Sequence, residues 1–112
     1  MSRTVVDFTA DANKELVICT PSTAQSGGVY RATITVQGTF GGGTFTLQQS
    51  ADNGVTKITS TKSDGSAWSA TSSTSIVVEI PNYNDADANF KLYGNLTGAT
   101  APSLSVIIND NR

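Results

Sequence analysis

The chain has 112 residues, 38% hydrophobic and 14% charged, with a formal net charge of -2; this is enough chain for one domain and too little charge for a disordered tail. Histidine is absent, cysteine occurs once (Cys19), and the seven Lys and Arg residues are scattered, which leaves acid-base catalysis at neutral pH, nucleic-acid binding and a disulfide-stapled scaffold without their usual residues. The longest apolar run, Leu16-Val17-Ile18-Cys19, is far short of the roughly 20 residues that cross a bilayer, and no apolar signal region follows Met1, so neither a membrane span nor a secretory leader is expected and synthesis in a cytosol is.

In chain order, residues 4–8 read as a short strand, and residues 1–12 as an N-terminal arm or edge strand on a single domain spanning 13–112. Residues 11–14 hold one helical turn at most. Residues 15–20 read as a strand buried on both faces, with Cys19 a buried, inert thiol. Residues 29–37, VYRATITVQ, alternate strictly, with Tyr30, Ala32, Ile34 and Val36 on one face and Arg31, Thr33, Thr35 and Gln37 on the other, the period of a half-buried strand. Residues 44–50 repeat the pattern with Phe45 and Leu47 inward. Between them Gly41-Gly42-Gly43 predicts a tight hairpin. A phosphate-cradling loop would feed a helix, whereas the chain from Thr44 onward reads as strand.

Asp52-Asn53-Gly54 is a turn signal leading to a short strand over 57–60, and Lys62-Ser63-Asp64-Gly65 is another turn. Residues 66–75 read as a loop around Trp68. Ile76, Val78 and Ile80 alternate with Val77 and Glu79 in a strand that Pro81 closes. Residues 89–93 place Phe90 and Leu92 inward, Lys91 and Tyr93 outward. In residues 103–109, Leu104, Val106 and Ile108 share a face while Ile107 puts an apolar side chain on the polar one. About eight short strands with no helical crossover define an all-β class, an antiparallel β-sandwich of jelly-roll type.

No candidate active site emerges. Serine is abundant but has no histidine to activate it, and Glu15 and Glu79 fall on strands. Asp85-x-Asp87-x-Asn89 has the spacing of a calcium loop, but Phe90 and Leu96 stand where such a loop needs glycine and glutamate, so a solvated loop is expected, with no metal and no cofactor. Asp85 and Asp87 are the residues to test should a cation be found. Asn95-Leu96-Thr97 matches a glycosylation sequon that is expected to go unused. Trp68 and Tyr83 are candidate members of an aromatic ligand platform, as in carbohydrate-binding β-sandwiches. The surplus apolar positions Val5, Phe8, Tyr93 and Ile107 are candidate interface residues, and association of subunits would offset the modest stability of so small a domain.

Residues 37–56, QGTFGGGTFTLQQSADNGVT, resemble a segment of small β-sandwich structural proteins of tailed bacteriophages, in which a strand, a glycine-rich hairpin and a DNG or DGG turn follow one another. Gly38, Phe40, Gly41, Gly42, Gly43, Thr44, Leu47, Ser50, Asp52, Asn53 and Gly54 carry the resemblance, which spans roughly a fifth of the chain; the tryptophan that often follows the turn has no counterpart at Val55–Ile58. The resemblance implies a non-enzymatic virion protein assembled in the host cytoplasm, first of all a capsid decoration or cement protein. Its partners would be the major capsid protein or other virion proteins, its state a homo-oligomer (a trimer, or else a dimer), and residues 2–11 an arm onto the shell. A neck, tail or head-fibre subunit is the alternative within that class, and a carbohydrate-binding β-sandwich module the alternative outside it.

Overall fold

The computed structural model describes residues 2–18, 30–50, 52, 54–62, 64–80 and 91–110. Across them run nine strands: β1 (Ser2–Phe8), β2 (Ala12–Ile18), β3 (Tyr30–Thr39), β4 (Thr44–Ser50), β5 (Ile58–Thr59), β6 (Ser69–Ala70), β7 (Thr74–Ile80), β8 (Lys91–Thr97) and β9 (Ser103–Asp110). They form two antiparallel sheets, ordered β1-β9-β3-β7 and β2-β8-β4-β5, with β6 also paired to β4. Consecutive strands switch sheet at every step except from β4 through β5 to β6. With β5 and β6 taken as two halves of one interrupted strand, this is the four-on-four order of a jelly-roll sandwich, as expected.

Two-residue periodicity builds the core. Ala32, Ile34 and Val36 of β3, Phe45 and Leu47 of β4, and Leu104, Val106 and Ile108 of β9 are all buried, each facing the opposite sheet across the sandwich. At the centre, Phe8 meets Phe45 edge-on, with centroids 5.7 Å apart, and Phe45 meets Trp68 in the same way at 6.0 Å, a favoured arrangement of aromatic quadrupoles. Gly94, mid-β8, makes room for them. A Cβ at that position would fall 2.7 Å from a Phe45 ring carbon.

Several expectations need correction. The glycine-rich turn does not close a hairpin, because β3 and β4 lie in opposite sheets and the turn arches over the end of the sandwich. Gly41 belongs there, with a φ of 61° and its α-carbon so close to the Thr100 carbonyl that any Cβ would collide. The helical turn allowed at 11–14 does not form, because β2 has already begun at Ala12. Its register with β8 shifts between Glu15 and Val17, and this bulge turns Leu16 and Val17 inward together. That is why the segment reads as buried on both faces. β8 continues past Tyr93 to Thr97, and the loop around Trp68 contains β6.

Four connections meet at one end of the sandwich. The Asp11 carboxylate accepts the backbone N–H groups of Gly98 (3.0 Å) and Ala99 (2.9 Å), Thr100 donates to the Gly41 carbonyl at 2.9 Å, and the Gly38 N–H reaches the Ser73 hydroxyl at 3.4 Å. Loop backbone that would otherwise lack partners is satisfied by neighbouring loops.

Candidate interaction surface

The site residues named from sequence do not assemble into one cluster. Val5, on β1, is 49% exposed. Phe8 is three positions further along, so alternation sends it the other way, and it is fully buried. As an interface residue Phe8 is therefore corrected to a core residue. Trp68 is also fully buried and offers no ring face to a sugar. Its indole N–H has no acceptor among the described residues. Tyr83, Asp85 and Asp87 lie outside the described residues, as do Cys19, Asn53 and Phe90, and the side chains of Tyr30, Glu79 and Ile80. Among the described residues no group of three or more His, Cys, Asp or Glu comes together as a metal site, and no helix is long and apolar enough to cross a membrane.

Tyr93 points outward from β8, as alternation requires, yet it is only 8% exposed because the connection from β4 to β5 folds over it. That cover is built from small polar residues. The buried Ser50 hydroxyl donates to Asp52 Oδ1 (2.7 Å) and accepts the Gly54 N–H (2.9 Å), while Asp52 Oδ1 also accepts the Thr56 N–H (2.8 Å). The Thr56 N–H and then the Ser50 hydroxyl hold the Asp52 carboxyl below its ordinary pKa. Gly54, with a φ of 90°, sits so close to the Tyr93 hydroxyl that a Cβ would strike it, and Lys57 Nζ lies 4.7 Å from the centre of the ring.

Polar side chains elsewhere on that sheet pair with one another, while Val55 and Ile58 stand exposed at its β5 edge. Asn13 Nδ2 donates to Gln48 Oε1 at 2.8 Å, and Lys91 pairs with Glu15 at 2.9 Å, a hydrogen-bonded contact that pushes the lysine pKa up. A further turn projects between β5 and β6: Thr61 bridges Ala67, and Asp64 accepts both the hydroxyl and the N–H of Ser66. These bonds, the hydroxyl first, lower the Asp64 pKa.

No described segment covers the outer face of the β1-β9-β3-β7 sheet. Its central row runs Val5, Ile107, Thr35, Ser75 across the four strands, and the next runs Arg3, Asn109, Thr33, Val77. Val5 and Ile107 are thus direct cross-strand neighbours, with Ile107 half-buried and Val77 54% exposed. The Thr35 and Ser75 hydroxyls bond each other at 2.9 Å, and Ser105 donates to Asp7 at 2.9 Å. This is a broad face of β-branched and small polar side chains. Sequence reasoning misses Val77 as an interface residue, although its position between Ile76 and Val78 already marks it as outward. No protein-family model, curated protein or solved structure matches the chain.

Proposed function

We propose that this protein is a non-catalytic structural subunit of a bacteriophage particle, a capsid decoration or cement protein that stabilises the head through non-covalent contacts with the major capsid protein. The observation that carries the reading is the outer face of the β1-β9-β3-β7 sheet, where Val5, Ile107 and Val77 stand exposed or half-exposed among threonines. Val5 and Ile107 adjoin across β1 and β9 while Val77 stands apart on β7, and adjoining apolar side chains on an otherwise polar surface suit protein contact. The glycine-rich segment at 38–54 supplies the resemblance to virion proteins, and its described residues form the arch between the sheets and part of the cover over Tyr93. Decoration requires complementary area and several copies bound at once, not chemistry.

The reading is tested by mixing the purified protein with undecorated phage heads and sedimenting the particles. Co-sedimentation to a fixed copy number, weakened by Ile107→Asp at unchanged melting temperature, is the expected result. Protein that stays in the supernatant overturns the reading, and protein that pellets with tails but not heads replaces it with the neck or tail alternative.

A further inference from the structure

The two sheets have four lateral edges, and those edges are treated differently. In the β2-β8-β4-β5 sheet, β2 carries a bulge and β5 and β6 are two residues each, both recognised ways of blunting an edge against further pairing. In the other sheet, β1 and β7 are seven-residue strands with unbroken registers against β9 and β3, and neither contains proline. Regular edges without a bulge or proline, and with no further strand paired to them among the described residues, are templates for adding a strand.

Between those two, the charge pattern of β1 selects a partner. Arg3, Val5 and Asp7 are consecutive outward-facing positions, all exposed. Two copies of β1 laid antiparallel about a two-fold axis at Val5 place Arg3 of one copy opposite Asp7 of the other, twice, with the two Val5 side chains between them. The strand is its own electrostatic complement, as an isologous two-fold contact demands. The same operation on β7 about Val77 places Ser75 opposite Glu79 and matches no charges.

We propose that β1 is a dimerisation edge, through which two copies of this chain pair antiparallel about Val5. The sheets then join into one, running β7-β3-β9-β1 through one copy and β1-β9-β3-β7 through the other. Val5 and Ile107 of both copies form an unbroken apolar strip across the join. Lys14 Nζ donates to the Asp7 carbonyl at 2.7 Å, and that carbonyl retains a second lone pair for the new ladder. The pairing stands on the edges alone and does not require the decoration role. It specifies a dimer where the resemblance implied a trimer first.

The test is the solution mass of the full chain and three charge variants by sedimentation equilibrium, with circular dichroism melts to confirm folding. The wild type is expected to be a dimer. Arg3→Glu sets two carboxylates opposite each other at both ends and should weaken the dimer by roughly tenfold to a hundredfold. Asp7→Arg should do the same by opposing two guanidinium groups, and the double variant Arg3→Glu/Asp7→Arg should restore the wild-type affinity. In a Cys19→Ser background, Val5→Cys should cross-link into a disulfide dimer on mild oxidation, a readout that survives should a charge variant fail to fold. A wild type that stays monomeric overturns the proposal, as does a dimer indifferent to both single charge changes, or a dimer whose thiols at position 5 never join.

Discussion

The two outer faces of this sandwich start from the same kind of sequence and end in different states. On both, strands alternate apolar and polar residues and place a large side chain outward: Tyr93 on one, Val5, Ile107 and Val77 on the other. Over Tyr93 the chain returns, because the connection from β4 to β5 stays in the same sheet, with Gly54 of its Ser50, Asp52 and Gly54 turn against the hydroxyl and Lys57 Nζ over the ring. Over the β1-β9-β3-β7 face no described segment returns. An outward apolar residue in this sandwich thus has two fates, decided by whether a neighbouring connection stays within its own sheet and folds back over it.

The largest effect that would sharpen this contrast comes from the covered face. Tyr93→Ala should cost about 2–4 kcal/mol in chemical denaturation, as removal of a packed aromatic does, whereas a cost under about 0.5 kcal/mol would mean that the loop does not cover the ring in solution. A smaller effect should follow from acid. Asp52 has a folded pKa below its ordinary value of 3.8, so its contribution is fully present above that value and is lost as pH falls through the depressed folded pKa. The Tyr93 ring signals in NMR should then shift toward those of an exposed tyrosine, and Asp52→Asn should remove that step; an identical acid response in the variant would assign the opening to another group. The smallest effect belongs to the open face, where Val77→Ala should change stability by less than about 0.5 kcal/mol. A larger loss in dilute solution would show that this face is packed against something after all.

Alternation alone is enough to place the longer strands that carry it. β3, β4, β7 and β9 are legible because each keeps a two-residue period over most of its length, although β4 departs from it at Gln49 and Ser50. What alternation does not report is the sheet a strand joins. The tight turn before Thr44 looks identical whether the chain doubles back in one sheet or arches to the other, and only the backbone contact of Gly41 with Thr100, far away in sequence, separates the two. β8 reads as too short because Gly94 breaks the pattern, and that glycine is set by Phe45 and Phe8, which occupy the volume its side chain would need. Trp68 and Phe8 look available to ligands or partners because Trp68 sits among small residues, Ala67 and Ser69, and Phe8 lies between Asp7 and Thr9. Their burial depends on the meeting of both sheets, which no local window contains. The direction of Tyr93 is legible from alternation, while its cover is a tertiary event.

The aromatic group at the centre also makes this protein convenient to watch. Trp68 is the sole tryptophan of the chain, it is fully enclosed, and its indole N–H has no hydrogen-bond acceptor among the described residues. A fluorophore in such apolar surroundings emits at short wavelength and moves red once water reaches it. Because its ring touches Phe45, which in turn touches Phe8 of the opposite sheet, one optical signal reports whether the two halves of the sandwich are closed on each other, with no label added.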